Sequence, residues 1–580
     1  RVFVCAQAAR FIADSPSLHL APALTRMLTS RYRGKGKEDA LKGLTSDYQL
    51  TLPAMLRRAE ALYGPKEIVT RRPDKSFHRY TYADFVRRAK KLAVALGELG
   101  LEKSDRVATL AWNNHQHLEA YFGVPCAGLV LHTINPRLSA DDLAYIIDHA
   151  GDRVLLIDET MVKLLASFRD RVDLDHIYVL SADGSAPEGL ESYEELLSGA
   201  DEERFEYPDF AEDDAAAMCY TSGTTGRPKG ALYSHRAICL HSMASAMTDM
   251  LGIAERDVVM PIVPMFHVNA WGLPFTSTLV GAKQVLPGPH LDPESLLENL
   301  ANEKVTITAG VPTIFFGILN KLDENPGAYQ LSSLRAMIIG GSAAPEGMIR
   351  AFAERHGLHV LHAWGMTETT PLGSVCHVSS QLDDAPEDER YRVRAKQGIP
   401  GAFIEVRARG DEGFAAWDGE SMGELEVRGP WVSGAYFNTE EGTDKFTEDG
   451  WFRTGDIVTI DENGYVEIQD RTKDLIKSGG EWISSVALEN SLMSHDAVAE
   501  AAVIAVPEEQ WGERPLGVVV LKEGAETTEE DLISHLAAHH PKWSLPDAIE
   551  FVDEIPHTAT GKALKMALRE RYKDYTPAER

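Results

Sequence analysis

The sequence predicts an α/β protein with added β. A large N-terminal domain of layered α/β subdomains and a small β-barrel-like subdomain is followed by a small α+β C-terminal domain. Three observations carry this. Amphipathic helical patterns alternate with short apolar runs as far as Ala363, as in a largely parallel sheet covered by helices. After Gly398 the texture becomes short β runs, with Asn463-Gly464 at a hairpin turn. Beyond Arg471 a last α/β stretch of about 105 residues is long enough to fold as its own unit. The expected division is 1–44 extension, 45–472 main domain and 473–580 C-terminal domain, with the joint near 470–477.

In chain order, the extension carries a short apolar run, Val2–Ala9, broken by Arg10 and lacking a convincing cleavage site. An arm outside the fold is the preferred reading over a targeting peptide. Arg31, Arg33, Lys35 and Lys37 run straight into Glu38 and Asp39, which reads as a solvated arm rather than a membrane-docking patch. Helical spacing covers Tyr82–Leu99 and Ala140–His149. Strand-like runs are Val107–Trp112, Gly128–Thr133, Val154–Ile157, Val258–Val263, Thr306–Ala309, Ala336–Ile339 and Val360–Ala363. The β texture comprises Phe403–Arg407, Gly423–Arg428 and Ile457–Gln469. The acidic runs Asp201–Asp214 and Asp383–Arg390 are interrupted by Pro208 and Pro386 and are expected to be solvated loops.

Composition narrows the function. With 58 Lys+Arg against 88 Asp+Glu, the formal charge of −30 excludes a general nucleic-acid binder and leaves room only for a local basic pocket. Five cysteines lie far apart without a CxxC pair, which argues against a disulfide framework or a zinc ribbon and fits a reducing, cytoplasmic setting. No run approaches the ~18 apolar residues of a spanning helix.

Tyr220-Thr-Ser-Gly-Thr-Thr-Gly-Arg-Pro-Lys-Gly230 follows the strand-like Ala215–Cys219. Glycines permit a sharp backbone there. Thr221, Ser222, Thr224 and Thr225 supply hydroxyls, Gly223 and Gly226 free the N–H groups, and Lys229 adds a cation. Such a loop suits a polyphosphate. Its spacing is not that of a Walker A loop.

At this point the chain resembles the adenylate-forming superfamily of acyl-CoA synthetases, aryl-CoA ligases, luciferase-like enzymes and peptide-synthetase adenylation domains, over roughly residues 45–575. Gly340-Gly-Ser-Ala-Ala-Pro345 is similar to the family's adenine-binding turn, which implies contacts from Gly341, Ser342 and Ala343. His362 and Ala363-Trp-Gly-Met-Thr-Glu-Thr369 resemble the next nucleotide segment, with Ala363, Trp364, Gly365 and Thr367 at ATP and Glu368, with Thr221, holding Mg²⁺. Trp451-Phe-Arg-Thr-Gly-Asp456 resembles the ribose segment. Asp470-Arg-Thr-Lys-Asp-Leu-Ile-Lys477 resembles the hinge, which implies that Arg471, Lys473 and Lys477 reach ATP and that the C-terminal domain is mobile. Pro556-His-Thr-Ala-Thr-Gly-Lys562 resembles the segment with the catalytic lysine, Lys562.

These residues also make chemical sense on their own. Attack of a carboxylate on the α-phosphate brings two anions together, so cations must neutralise the transition state. Glu368 offers a hard oxygen to Mg²⁺. Asp456 can accept from a ribose diol while Arg471 donates to it, and Lys562 is a flexible point charge. Taken singly, Glu368 reads equally as a helix-start acid, Asp456 as a turn aspartate and Lys562 as an exposed lysine. The joint pattern decides between the readings.

Within the superfamily, Val263-Pro-Met-Phe-His-Val-Asn-Ala-Trp-Gly-Leu-Pro274 and Ile476-Lys-Ser-Gly-Gly-Glu-Trp-Ile-Ser-Ser485 are similar to medium- and long-chain fatty-acid–CoA ligases. The resemblance implies that Trp271 gates an apolar acyl tunnel, and the apolar channel that a fatty tail needs has Val311–Phe316 and Trp271–Phe275 as its candidate walls. The resemblance also implies that His267 and Val268 line the acyl and adenylate site. Both Trp271 and His267 could instead be ordinary core residues. The expected reaction is ATP-dependent ligation of a fatty acid to coenzyme A through acyl-AMP, by a homodimer making at most transient membrane contact. Trp364, in a slot usually held by tyrosine, leaves a ligase for a short substituted acid such as 3-methylthiopropionate, or for an aryl acid, as the alternative. A luciferase-like or binding protein is a remote one. A peptide-synthetase module would carry a further domain after residue 575.

Overall fold

The structure is a computed structural model that describes residues 43–221, 227–479, 481–508, 511–557, 562–573 and 575. Residues 1–42 of the expected extension, and Ser222, Gly223, Thr224, Thr225 and Gly226 of the glycine-rich loop, lie outside the described residues.

Local sequence explains where the elements begin and end. Helix Tyr82–Glu98 starts at a reciprocal cap, in which the Thr81 hydroxyl accepts from the Asp84 N–H and the Asp84 carboxylate accepts from the Thr81 N–H. Phe85, Val86, Ala89, Leu92, Ala93 and Leu96 recur at three- and four-residue spacing and are buried. Helix Ala140–Ala150 is capped by Ser139 and closed by Gly151 at φ 65°, a left-handed turn that suits glycine.

A seven-stranded sheet has the spatial order Glu191–Ser192, His176–Leu180, Asp152–Asp158, Arg106–Leu110, Val130–Thr133, Ala215–Tyr220, Gly230–Ser234, and only the last pair is antiparallel. A nine-stranded sheet is parallel through its centre, where Val360–Gly365, Ala336–Ile339, Ile307–Gly310, Val258–Pro261, Lys283–Leu286 and Glu67–Arg71 follow one another. The small β subdomain is a five-stranded antiparallel sheet whose edge strands, Gly413–Phe414 and Val466–Arg471, do not pair with each other. The C-terminal sheet packs helices Ser485–Met493 and Glu529–Ala537 against strands Val498–Glu508 and Gly512–Leu521. Among the described residues no helix is long and apolar enough to cross a membrane.

The acidic stretch Asp201–Asp214 is a surface segment with one short turn, Glu202–Arg204, as expected. The run Asp383–Arg390 corrects the sequence reading, because helix Glu387–Ala395 starts inside it. Pro386 stands just before that helix rather than breaking it. Glu387, Asp388 and Glu389 suit its positive N-terminus, and Tyr391 and Val393 bury its inner face. Phe403 also departs from its expected strand, lying at φ 66° and 82% exposed ahead of strand Glu405–Gly410.

The two large sheets are joined through buried helices. Every residue of helix His115–Cys126 is buried, and its Tyr121 and Phe122 rings meet Phe275 of helix Leu273–Val280 at 5.0 and 5.7 Å. Asn113, just after strand Arg106–Leu110, stitches the sheets directly. Its Nδ2 donates to the carbonyls of Pro261 (2.8 Å) and Val263 (3.0 Å), and its Oδ1 accepts from the Met265 N–H at 2.6 Å. That stitch sets the segment leading to His267. Unsatisfied buried polar groups cost ~1–3 kcal/mol each. Asn113→Ala, which strands three, is therefore expected to lower unfolding free energy by ~3 kcal/mol or more, read as a fall in the urea midpoint at unchanged slope.

Candidate active site

A cavity of about 550 Å³ opens where the carboxyl ends of the central strands meet the small β sheet and the C-terminal domain. Ligands of open α/β sheets bind at such strand ends. Strand Ala215–Tyr220 delivers Thr221, strand Ala336–Ile339 leads into Gly340–Ala343, and strand Val360–Gly365 leads into Glu368. Asp456 and Arg471 come from paired strands of the five-stranded sheet, and Lys562 from the C-terminal domain.

Thr221 and Lys229 are joined by two hydrogen bonds. The Thr221 N–H donates to the Lys229 carbonyl at 2.9 Å, and the Lys229 N–H donates to the Thr221 hydroxyl at 3.0 Å. The Lys229 ammonium lies 2.8 Å from Glu441. Glu368 is buried, and its Oε1 accepts from the Tyr436 hydroxyl at 2.5 Å.

Both Asp456 oxygens have close neighbours. Trp364 Nε1 donates to Oδ2 at 3.1 Å, and Arg471 Nε lies 3.0 Å from Oδ1. The Asp456 carboxylate, and then Glu368, raises the Arg471 pKa, so the guanidinium stays charged. His362 Nδ1 lies 2.9 Å from the Ala395 carbonyl, and its Nε2 accepts from the Ala344 N–H at 3.3 Å. Burial pushes His362 down to about 4, so it supports the 340–345 turn as a neutral ring. Gly340 has a steric reason: a Cβ there would stand 2.7 Å from the Ala363 carbonyl and 3.2 Å from the Trp271 ring.

Lys562 is exposed into the cavity. The desolvation it meets there, then the Arg471 cation, pull its ammonium down to about 8 against the opposing pull of Asp456. Desolvation, with Lys562 and Arg137, pushes His267 down to about 4. Lys473 also lines the cavity, with its pKa lowered by desolvation. Val268, Trp271, Val311 and Phe316 lie on the cavity wall, as do Ser342, Ala363, Gly365 and Thr367.

Lys477 stands apart from this wall. Its ammonium lies 5.0 Å from the Trp482 ring centroid, and its N–H donates to Glu513. Sequence reasoning missed Arg137, Tyr436 and Lys445, which line the same cavity. Arg137 and Tyr436 are single residues in loops and Lys445 ends the short turn Thr443–Lys445, so only the fold shows where each points.

Two bound groups can be judged against these side chains. The hard oxygens of Glu368 and Thr221 suit Mg²⁺, which is usually held by one or two protein oxygens together with phosphate and water. No cluster of three or more His, Cys, Asp or Glu able to hold a metal occurs among the described residues. A site completed by a polyphosphate is consistent with that.

Residues 56–437 match the AMP-binding enzyme family, and residues 487–562 match the AMP-binding enzyme C-terminal domain. The chain belongs to the AMP-binding enzymes. It is 49% identical over 541 residues to the long-chain-fatty-acid–CoA ligase of Thermus thermophilus, covering 93% of this chain and 98% of that one. It is 44% identical over 531 residues to the 3-methylmercaptopropionyl-CoA ligase of Ruegeria lacuscaerulensis, covering 90% and 98%. Among solved structures, the anthranilate CoA ligase AuaEII in complex with anthranoyl-AMP superposes with a TM-score of 0.81 at 26% identity, covering 90% of this chain and 98% of that one.

Asp456→Ala removes both carboxylate acceptors. Hydrogen bonds to charged groups contribute ~1.5–3 kcal/mol, so AMP affinity measured by calorimetry is expected to fall about 10- to 100-fold.

Proposed function

We propose that the protein is an acyl-CoA synthetase that activates a medium- to long-chain fatty acid with ATP and transfers the acyl group to coenzyme A. The observation that carries this is a single cavity with two chemistries. Val268, Trp271, Val311, Ile314 and Phe316 give it an apolar wall, while Thr221, Glu368, Asp456, Arg471 and Lys562 give it a polyanion site. An apolar chain inside such a wall gains roughly 0.8 kcal/mol per buried CH₂. Relatives acting on a long-chain acid and on 3-methylmercaptopropionate differ chiefly in the tail, so the depth of this wall sets the substrate.

In the first half-reaction a carboxylate oxygen of the acid attacks the α-phosphorus of ATP. The bond from that phosphorus to the bridging oxygen breaks, and acyl-AMP and pyrophosphate result. The Thr221–Lys229 turn holds the leaving phosphates, and Asp456 and Arg471 hold the ribose. Lys562 places positive charge between the reacting carboxylate and phosphate. Glu368 and Thr221 would hold a Mg²⁺ ion, which supplies further neutralisation of phosphate charge. Neutral His267 borders the reacting carboxylate without adding charge of its own.

In the second half-reaction the coenzyme A sulfur attacks the acyl carbon. The bond to the phosphate oxygen breaks, AMP leaves, and the thiol proton passes to solvent. The C-terminal domain turns about Lys473 between the two steps. That motion withdraws Lys562 and opens a path for the thiol.

Two outcomes test this. Lys562→Ala is expected to slow AMP release by about 10²–10³-fold while sparing thioester formation from supplied acyl-AMP. Equal loss in both assays removes the domain rotation. A series of acids from acetate to C18, with 3-methylthiopropionate and coumarate, is expected to peak at medium or long chains. Activity confined to the last two removes the fatty-acid assignment.

The pH dependence follows from Lys562. Its ammonium is needed, and its pKa of about 8 means the charge is lost as pH rises through that value. The kcat/KM for ATP is therefore expected to fall above pH about 8, and the limb in kcat to lie higher, because bound phosphates favour the charged form.

A further inference from the structure

The segment that carries Trp271 is left-handed throughout. Val268, Asn269, Ala270, Trp271 and Gly272 have φ values of 40°, 41°, 51°, 55° and 73°. Such backbone costs roughly 1–2 kcal/mol per ordinary residue, and only glycine and asparagine enter it readily. The turn is nevertheless buried: Val268 and Asn269 are each 4% exposed, and Ala270 is 0% exposed. It must be held from outside.

The holding groups come from two neighbouring elements. Asn269 Nδ2 donates to the Thr133 hydroxyl at 3.4 Å, and that oxygen lies 3.2 Å from the Cys219 sulfur. Thr133 and Cys219 lie side by side on adjacent strands of the seven-stranded sheet, two residues before Thr221. On the other side, the Trp271 ring rests against Gly340 and Gly341. The direction in which this indole crosses the cavity is therefore set by the handedness of the turn.

Resting on the acyl-CoA synthetase reading, we infer that Asn269 is a positioning residue for chain-length selection: tied to Thr133, it keeps the 268–272 turn left-handed and so fixes how much of the apolar cavity Trp271 closes. Asn269 does not touch the reacting atoms. It acts through Trp271.

The test is AMP release across saturated acids from C4 to C18 for Asn269→Ala, Asn269→Gly, Thr133→Val and Trp271→Ala, with the double variants of Trp271→Ala. Asn269→Ala is expected to move the preferred length by two or more carbons and raise KM for the preferred acid about 10-fold, with kcat and KM for ATP within about 3-fold. Asn269→Gly, which keeps access to positive φ but loses the tie, and Thr133→Val, which loses the tie alone, are each expected to shift the profile in the same direction as alanine but less. In the Trp271→Ala background neither Asn269→Ala nor Thr133→Val is expected to add a shift, whereas a merely structural role gives additive losses.

A native length profile in both Asn269→Ala and Thr133→Val overturns the proposal, as does a full additional shift in the Trp271→Ala background. If Asn269→Ala does not fold, Thr133→Val with and without Trp271→Ala decides. Failure of the underlying reading looks different: the unmodified chain then releases AMP with no fatty acid at all.

Discussion

A chain with a formal charge of −30 has to assemble a site for a polyanion, and that electrostatic demand organises the centre of the molecule. Lys229, Arg471, Lys473 and Lys562 are brought to one cavity from widely separated stretches. Several carboxylates beside them are already engaged. Glu489 lies 2.6 Å from Lys565, Asp470 accepts from Ser485, and Asp474 pairs with Arg569. A low-dielectric cleft focuses the field that remains. Glu500 lies against His557, Asp456 is aimed by Trp364 and Arg471, and Glu368 by Tyr436.

Backbone geometry serves the same end. Parallel strands place their carboxyl ends on one side, so the turns after Tyr220, Gly310, Ile339 and Gly365 converge there with little further design. Asn113 then locks the two large sheets together just before His267. The cavity floor is thus tied together, and Glu489, Lys562 and Lys565 from the C-terminal part of the chain line the same cavity. The small domain meets the floor at a polar joint in which the Ser485 N–H and hydroxyl each donate to Asp470 at 2.6 Å. Polar joints of this kind exchange partners with water more cheaply than an apolar interface separates. That suits a domain expected to turn.

Much of the site was legible in the text because its chemistry is local. The hydroxyl- and glycine-rich 220–230 segment, the Trp364–Glu368 stretch and the Asp456 segment each concentrate rare residue types within a few positions. Element type was legible for the same reason: burial periodicity marked Tyr82–Glu98 and Ala140–Ala150, with ends displaced by one residue. The misreading at Asp383–Arg390 arose because proline is as good a helix starter as a breaker, and Tyr391 and Val393, which anchor that helix, lie beyond the charged run.

By itself, the sequence determined the class of fold and the family, and it singled out the 220–230 segment, Glu368, Asp456 and Lys562 as candidates, since these depend on residue type and short spacing. Only the tertiary structure decided which lone side chains join them. Tyr436 reaches Glu368 across 68 positions, Asn113 reaches Met265 across 152, and Asn269 reaches Thr133 across 136. It also decided that residues 268–272 turn left-handed, because nothing in their own preferences favours that backbone apart from Asn269 and Gly272. The bond to Thr133 and the packing of Trp271 on the Gly340 turn hold it there.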